Sequence, residues 1–342
     1  MKLLKQLTEA FGPSGHEDEV RQIIIDELKP ICDKVWTNTM GSVVGLKKGS
    51  GKKADKKKIM IAGHIDEIGF MVTHISDKGW VRFTPLGGFD PRTLVCQRAV
   101  VLGKGKNKLV GTLNVAGKPI HMQSPEERKK ELKVSDFFID LGLDGKTVKR
   151  KVEIGDPIVW QRDFMEIGDT YQCKAMDDRV GAFVMIEALR RTKNNTHDIY
   201  AVGTVQEEVG LRGAQTSAYE LDPDIAIALD VTLAIDTPGG EEHGRISDLG
   251  KGITISLMNS AVISDRGLVK EFREIGDRKK IPYQLEILPR GGTDAGAMQR
   301  AKGGAKAITL SVPTRYVHSV NETVHKTDVE AGVNLLAAFL NR

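Results

Sequence analysis

Ile199-Tyr200-Ala201-Val202-Gly203-Thr204-Val205-Gln206-Glu207-Glu208-Val209-Gly210 is the stretch whose reading decides the fold. Its apolar half has the unbroken pattern of a strand buried on both faces of a parallel sheet. Glu207 and Glu208 follow at the C-terminal end, the edge at which open α/β sheets bind ligands. Neighbouring side chains leaving a strand point in opposite directions. One carboxylate can therefore bind a metal while the other faces a water molecule. Alone, a Glu-Glu pair reads as solvated surface, so the weight falls on what ends the other strands.

Residues 59–67 form a buried strand that closes on Gly63-His64-Ile65-Asp66-Glu67. His64 and Asp66 are two apart and share a face of extended chain. That spacing lets a carboxylate hold a ligating imidazole through its other nitrogen. Residues 225–229 form another apolar strand, closed by Asp230, and residues 307–312 the last one, with Tyr316-Val317-His318-Ser319 after it. Asp177 stands at the turn between the extended residues 171–175 and a mostly buried helix carrying Val180, Phe183, Val184, Ile186 and Leu189. The ordinary role of an aspartate there is an N-cap. Further strands are expected at 253–257 and 284–288, and helices at 267–280 and 328–340. Gly291-Gly292-Thr293-Asp294-Ala295-Gly296 reads as a tight turn into a helix, without the lysine of a phosphate-binding loop.

Before this region, Leu3, Leu4, Leu7 and Phe11 have helical spacing, ended by Gly12-Pro13-Ser14-Gly15. A second helix is expected over 17–29, capped by Ser14 or a neighbour, and two strands at 34–38 and 42–46. Seven lysines then fall among the twelve residues 47–58. They lack the aromatic or arginine partners of a nucleic-acid surface and read as a solvated hairpin loop. From 69 to 163 the texture changes to short alternating segments broken by glycine and charged turns, the pattern of a small all-β barrel or sandwich. The organisation expected is a discontinuous α/β domain over 1–68 and 164–342, with a mixed, largely parallel sheet and flanking helices. A β-barrel over 69–163 is inserted in it for support, gating or assembly.

Composition excludes several classes. A hydrophobic content of 40% with 28% charged residues is that of a globular protein, and a net charge of +4 makes no electrostatic case for nucleic acid. Cys32, Cys96 and Cys173 form no Cys-x-x-Cys pair, which fits a reducing compartment and argues against a thiolate metal site. No secretory signal is visible, and no apolar run nears the roughly 20 residues of a membrane helix. A cytoplasmic protein that binds neither membrane nor nucleic acid is expected.

His64, Asp177, Glu207, Glu208, Asp230 and His318 thus converge on one edge of the predicted sheet. Two imidazoles with several carboxylates are the ligand set for two divalent ions, Zn²⁺ first, with Co²⁺ or Mn²⁺ as alternatives. Buried together without such ions, the carboxylates would repel one another. Two divalent ions, three ligating carboxylates and one hydroxide would make the site neutral.

The strings Ala62-Gly63-His64-Ile65-Asp66-Glu67-Ile68-Gly69, Met176-Asp177-Asp178-Arg179-Val180-Gly181, Gln206-Glu207-Glu208-Val209-Gly210, Ala228-Leu229-Asp230 and Gly291-Gly292-Thr293-Asp294-Ala295 together resemble the tetrahedral aminopeptidases. These are cytosolic dinuclear metallo-aminopeptidases of glutamyl, leucyl and lysyl types, and the resemblance covers essentially the whole chain. It implies one ion on His64, Asp177 and Asp230, and a second on Asp177, Glu208 and His318, with Asp177 shared. It further implies Glu207 as general base, Asp66 as the partner of His64, a cis peptide bond between Asp177 and Asp178, and short peptides as substrate. It also implies assembly of the chain into a homo-oligomer, a hollow dodecamer, through the β insertion. One departure stands in the last motif, where Val320 follows His318-Ser319 in place of the usual proline; His325 is the competing ligand. Residues 121–133 form a polar segment, read either as a mobile loop near an active site or as plain surface. The rival functions are a dinuclear deacylase of N-acyl amino acids, a glycosidase, and a catalytically dead assembly protein. A glycosidase leaves the two histidines unexplained, and a dead fold would have lost ligands that are all present here.

Overall fold

The apolar runs that end in polar residues become the middle of one eleven-stranded sheet. The computed structural model describes residues 1–341. Its strands are β1 (Lys34–Thr37), β2 (Val43–Lys47), β3 (Lys58–His64), β4 (Gly69–Ile75), β5 (Val81–Leu86), β6 (Arg98–Gly103), β7 (Asn107–Val115), β8 (Phe137–Asp140) and β9 (Pro157–Trp160). After these come β10 (Met165–Ile167), β11 (Thr170–Cys173), β12 (Asp198–Thr204), β13 (Ile225–Leu233), β14 (Ile253–Met258), β15 (Tyr283–Ile287), β16 (Lys306–Arg315) and β17 (Glu322–His325). The helices are α1 (Lys2–Glu9), α2 (Asp18–Leu28), α3 (Pro125–Arg128), α4 (Gly145–Lys151), α5 (Met176–Arg191), α6 (Arg212–Leu221), α7 (Arg266–Lys279), α8 (Asp294–Gln299) and α9 (Lys326–Leu340).

The main sheet runs β1-β2-β12-β3-β13-β16-β17-β11-β10, with β14 and β15 attached beside β16. Its four central strands, β12, β3, β13 and β16, are parallel, and the flanks are antiparallel. Both faces of these central strands are buried, which is why they read as unbroken apolar runs rather than as alternation. Helices α1, α5, α7 and α9 cover one face around Leu4, Val184, Phe272 and Phe339. Helices α6 and α8 cover the other around Ala214, Ala218 and Met298. The mixed α/β architecture is therefore as expected. The remaining six strands close a separate antiparallel barrel in the order β4-β5-β8-β7-β6-β9. Phe70 fills its core, stacked on Phe89 at 4.3 Å and edge-on to Phe83 at 4.7 Å.

Several local expectations are corrected. The lysine-rich connection is not a hairpin loop, because β12 lies between β2 and β3. It crosses the start of β12 instead, where the amides of Gly49 and Ser50 donate to Asp198 and to the Asn195 carbonyl. Helix α1 stops at Glu9 rather than running to Phe11. The buried Arg179 guanidinium donates to the carbonyls of Leu7 at 2.6 Å and Gly12 at 3.1 Å, doing for this chain end what another helical turn would do. Ser14 does not cap α2, which starts from Glu17 with no side-chain cap; its hydroxyl donates to Asp66 at 2.6 Å. Helices α4 and α6 and the short strands β8, β10 and β17 add to the elements expected. Asp230 lies inside β13, three residues before its end, rather than closing it.

Candidate metal centre

Register brings the first two groups together. Thr204 of β12 pairs with His64 of β3, and Ala62 pairs with Ala228 of β13. Two residues on from that last pair stand His64 and Asp230, side by side on the same face of the sheet. Asp177 arrives from above, at the start of α5. That close approach needs Gly63, since a Cβ there would lie 2.9 Å from the Ala182 backbone nitrogen. It needs Gly181 as well, where a Cβ would lie 2.3 Å from an Asp178 carboxylate oxygen.

One Asp177 carboxylate oxygen lies 2.9 Å from His64 Nε2 and the other 3.4 Å from His318 Nε2. His318 Nε2 is also 3.3 Å from Glu208. Asp177 therefore sits between two imidazoles, and its peptide bond to Asp178 is cis. Three groups of side chains bring their ligating atoms within 4.8 Å of one another: His64 with Asp177 and Asp230, Asp177 with Glu208 and His318, and His64 with Glu207 and Glu208. The competing His325 caps α9 through Thr327 and stands apart from these groups.

Backbone amides hold the side chains in place. Asp66, wholly buried, accepts the amides of Glu207 at 3.0 Å and Glu208 at 3.2 Å, with Gln206 turned into the left-handed region at φ +54° just before them. His64 Nδ1 lies closer to the Asp66 carbonyl, at 3.1 Å, than to its carboxylate, at 3.5 Å. The carboxylate expected to orient His64 lies within reach of it and also holds the Glu207-Glu208 turn. Two further residues do comparable work that the sequence did not assign to them. Asp178 accepts the amides of His64 and Gly181, and Glu322 accepts those of Asp177 at 3.0 Å and His318 at 2.8 Å. The signal for Glu322 was a carboxylate four residues past His318, inside a segment with no readable period.

The electrostatics are one-sided. Asp66, Asp177, Asp178, Glu207, Glu208, Asp230, Asp294 and Glu322 crowd around two histidines, while the nearest buried cations, Lys174 and Arg179, are turned to Glu67. Burial, followed by the charges of Asp178 and Asp177, pushes the Asp230 carboxyl well above its ordinary range. Burial, with Asp230 and Glu208 overcoming the pull of His64, does the same to Glu207. Burial pulls His318 down, but its contacts with Asp177 and Glu208 outweigh it and raise the imidazole to about 12. Burial also pulls His64 down, and Glu207, Asp177 and Asp66 hold it well above the histidine range. Such a surplus of buried carboxylate calls for positive charge, and imidazole plus carboxylate donors suit borderline divalent ions. The donor set therefore fits metal.

The centre forms one end of a cleft of about 500 Å³. The barrel reaches it too: a Cβ on Gly87 would meet the Glu208 Cβ at 3.5 Å, and one on Gly88 would meet His318 Nδ1 at 3.5 Å.

Comparison with known proteins gives a consistent picture. The M42 glutamyl aminopeptidase family matches residues 41–335. A lysyl aminopeptidase of Pyrococcus furiosus is 32% identical over 345 aligned residues, 99% of this chain and 96% of its own. The solved TET aminopeptidase of a marine-sediment thaumarchaeon is 38% identical with a TM-score of 0.95, over 100% of this chain and 96% of its own. The Pyrococcus horikoshii TET1 peptidase, described as assembling into a tetrahedron or a large octahedral shell, is 31% identical with a TM-score of 0.87, over 99% of this chain and 98% of its own.

Proposed function

The chain belongs to the M42 glutamyl aminopeptidase family and is a metal-dependent aminopeptidase, and from that premise we propose that it frees N-terminal residues from short peptides at a dinuclear centre. His64, Asp177 and Asp230 would hold one ion and Asp177, Glu208 and His318 the other, Zn²⁺ before Co²⁺ or Mn²⁺. The observation that carries this assignment is Asp177, whose two oxygens each face a different histidine. When bound, the ions supply Lewis acidity to the scissile carbonyl and acidify a water molecule.

The remaining chemistry belongs to side chains. Glu207 stands beside both metal groups, its carboxylate 3.9 Å from His64 Nε2. That position suits a base that takes a proton from water and passes it to the departing amine nitrogen. Asp66 keeps Glu207 and Glu208 aimed by holding both their amides. The preference for a substrate end carrying a free α-amine rests on membership of the aminopeptidase family.

Glu322 acts as a clamp between the two ion sites. Glu322→Gln is expected to weaken metal affinity about 10–100-fold, the range for residues that orient ligands. A carboxylate accepts two amides, whereas a glutamine side chain turns one donor against an amide hydrogen. Competition with a chromophoric chelator measures it; parental affinity in the variant would remove Glu322 from this role.

We also propose that the chain assembles into a hollow homo-oligomer, a dodecamer, through the barrel. Val110, Ile120 and Met122 are each exposed in that part of the chain, apolar side chains that an assembly contact would cover. Cys32, Cys96 and Cys173 form no disulfides, which supports a reducing, cytoplasmic location. Among the described residues no helix is long and apolar enough to cross a membrane.

The decisive test is chelation followed by restoration. Protein stripped of metal is expected to lose cleavage of aminoacyl p-nitroanilides and to regain it with Zn²⁺, Co²⁺ or Mn²⁺, with N-acetylated substrates uncut throughout. Metal-dependent release of acetate from N-acetyl amino acids, with free-amine anilides uncut, would move the assignment to a deacylase.

A further inference from the structure

Family membership leaves open which N-terminal residue the enzyme removes. The cleft beside the metal centre is built from this chain's own residues, and its chemistry is uneven. Strand β13 carries Asp230 into the centre and then continues as Val231 and, at its end, Leu233. Val317 enters the wall immediately before His318, and Leu288 and Leu211 complete the apolar lining. Val231 and Leu288 are buried at 6% exposure each, while Leu233 stays 37% exposed, an apolar side chain left open to the cleft.

The charged groups lining the cleft are almost all spoken for. Its carboxylates, Asp177, Glu207, Glu208 and Asp230, are those of the proposed metal centre and base. Beside these and the centre's two histidines, His64 and His318, one further charged side chain lines it, Arg290, exposed next to Gly291 and Gly292. Arg290 makes no ion pair among the described residues, whereas Arg191 and Arg315 are each paired with a carboxylate.

Three classes of N-terminal side chain then separate. A lysine or arginine would need a carboxylate outside the metal centre and meets Arg290 instead, a like charge. A glutamate would have Arg290 as its partner, but a water-exposed guanidinium gives a weak, salt-screened attraction. An aliphatic side chain meets five apolar residues in a cleft of about 500 Å³, with room for a full branched chain.

We propose that this cleft is the side-chain pocket and selects peptides with a large aliphatic N-terminal residue, leucine or methionine, with Arg290 rejecting basic ones. The inference rests on the aminopeptidase reading above and adds to it the class of residue released. Each methylene lost from a ligand in an apolar pocket costs roughly 10–200-fold in kcat/KM. Leucine should therefore exceed alanine by at least about tenfold.

The test compares kcat/KM of metal-loaded enzyme on leucyl, methionyl, alanyl, glutamyl and lysyl p-nitroanilides. Leucine and methionine are expected to lead the other three by about tenfold or more. Leu233→Ala, at an exposed site where folding is not at stake, should narrow the leucine-to-alanine ratio several-fold. Arg290→Ala should narrow the leucine-to-lysine ratio and leave the leucine-to-alanine ratio where it was. A glutamyl preference that disappears in Arg290→Ala would overturn the proposal and make the cleft an acidic-residue pocket. Equal rates on leucine and alanine, or a lysyl preference, would overturn it also. In each of those cases the enzyme is still a metal-dependent aminopeptidase. Failure of every free-amine substrate, with the ions bound, would instead remove the aminopeptidase reading itself.

Discussion

Glu207→Gln is expected to lower kcat on a favoured aminoacyl p-nitroanilide by about 10²–10⁴-fold, the range for a positioned acid–base group, with metal content at the parental level. Glutamine keeps the shape and the backbone contact with Asp66 but cannot accept the water's proton. A rival role exists on geometric grounds, because Glu207 also lies within a possible ligand group with His64 and Glu208. The two roles separate in one preparation. Elemental analysis of the purified variant would show two ions per subunit for a base and a shortfall for a ligand. A fall in kcat with KM nearly unchanged is the companion signature, since a base acts on the reacting atoms and leaves ground-state binding alone.

The second large effect belongs to Asp177. It is the one side chain common to the two proposed ion sites, so Asp177→Asn is expected to empty both and to cost activity on the order of 10³-fold or more, the several kcal/mol that bound ions contribute. Asp230→Asn provides the contrast, because Asp230 belongs to a single group and its variant should keep one ion. Metal stoichiometry read alongside kcat/KM decides the matter. An Asp177→Asn protein that still carries two ions would show that the carboxylate is not shared, and the paired assignment would fall. Folding is checked in the same samples by circular dichroism, because Asp177 is buried and its amide is tied to Glu322.

The sheet was readable because its central strands are buried on both faces, so apolar runs such as Ile59–Ile61 and Ile225–Ile227 stand out against everything around them. The polar residues that follow those runs marked the edge where the structure collects them. What escaped has a physical reason in each case. β8 has four residues and β17 four, too few for a period to emerge; β8 is defined by pairing with β7 across a long connection, and β17 by pairing with β11, far back in the chain. The order β2-β12-β3 cannot be seen from a lysine-rich connection, because nothing local says which strand will slip between two neighbours. The amide-holding roles of Glu322 and Asp178 went unforeseen for a related reason. Each accepts main-chain amides, and an amide carries no residue identity for a sequence pattern to show. Asp66 was marked for its spacing from His64, whereas its hold on the amides of Glu207 and Glu208 had no mark of its own.

The barrel's Gly87-Gly88 turn, laid against Glu208 and His318, bears on how the two lobes can be recombined. A chimera that borrowed its barrel from a homologue, to alter the size or symmetry of a shell, would also replace part of the wall around a proposed ion site. Grafts that retain Gly87 and Gly88 keep that wall; grafts that place bulk there press side chains onto His318. A graft of the barrel is for this reason also a change beside the proposed ion site.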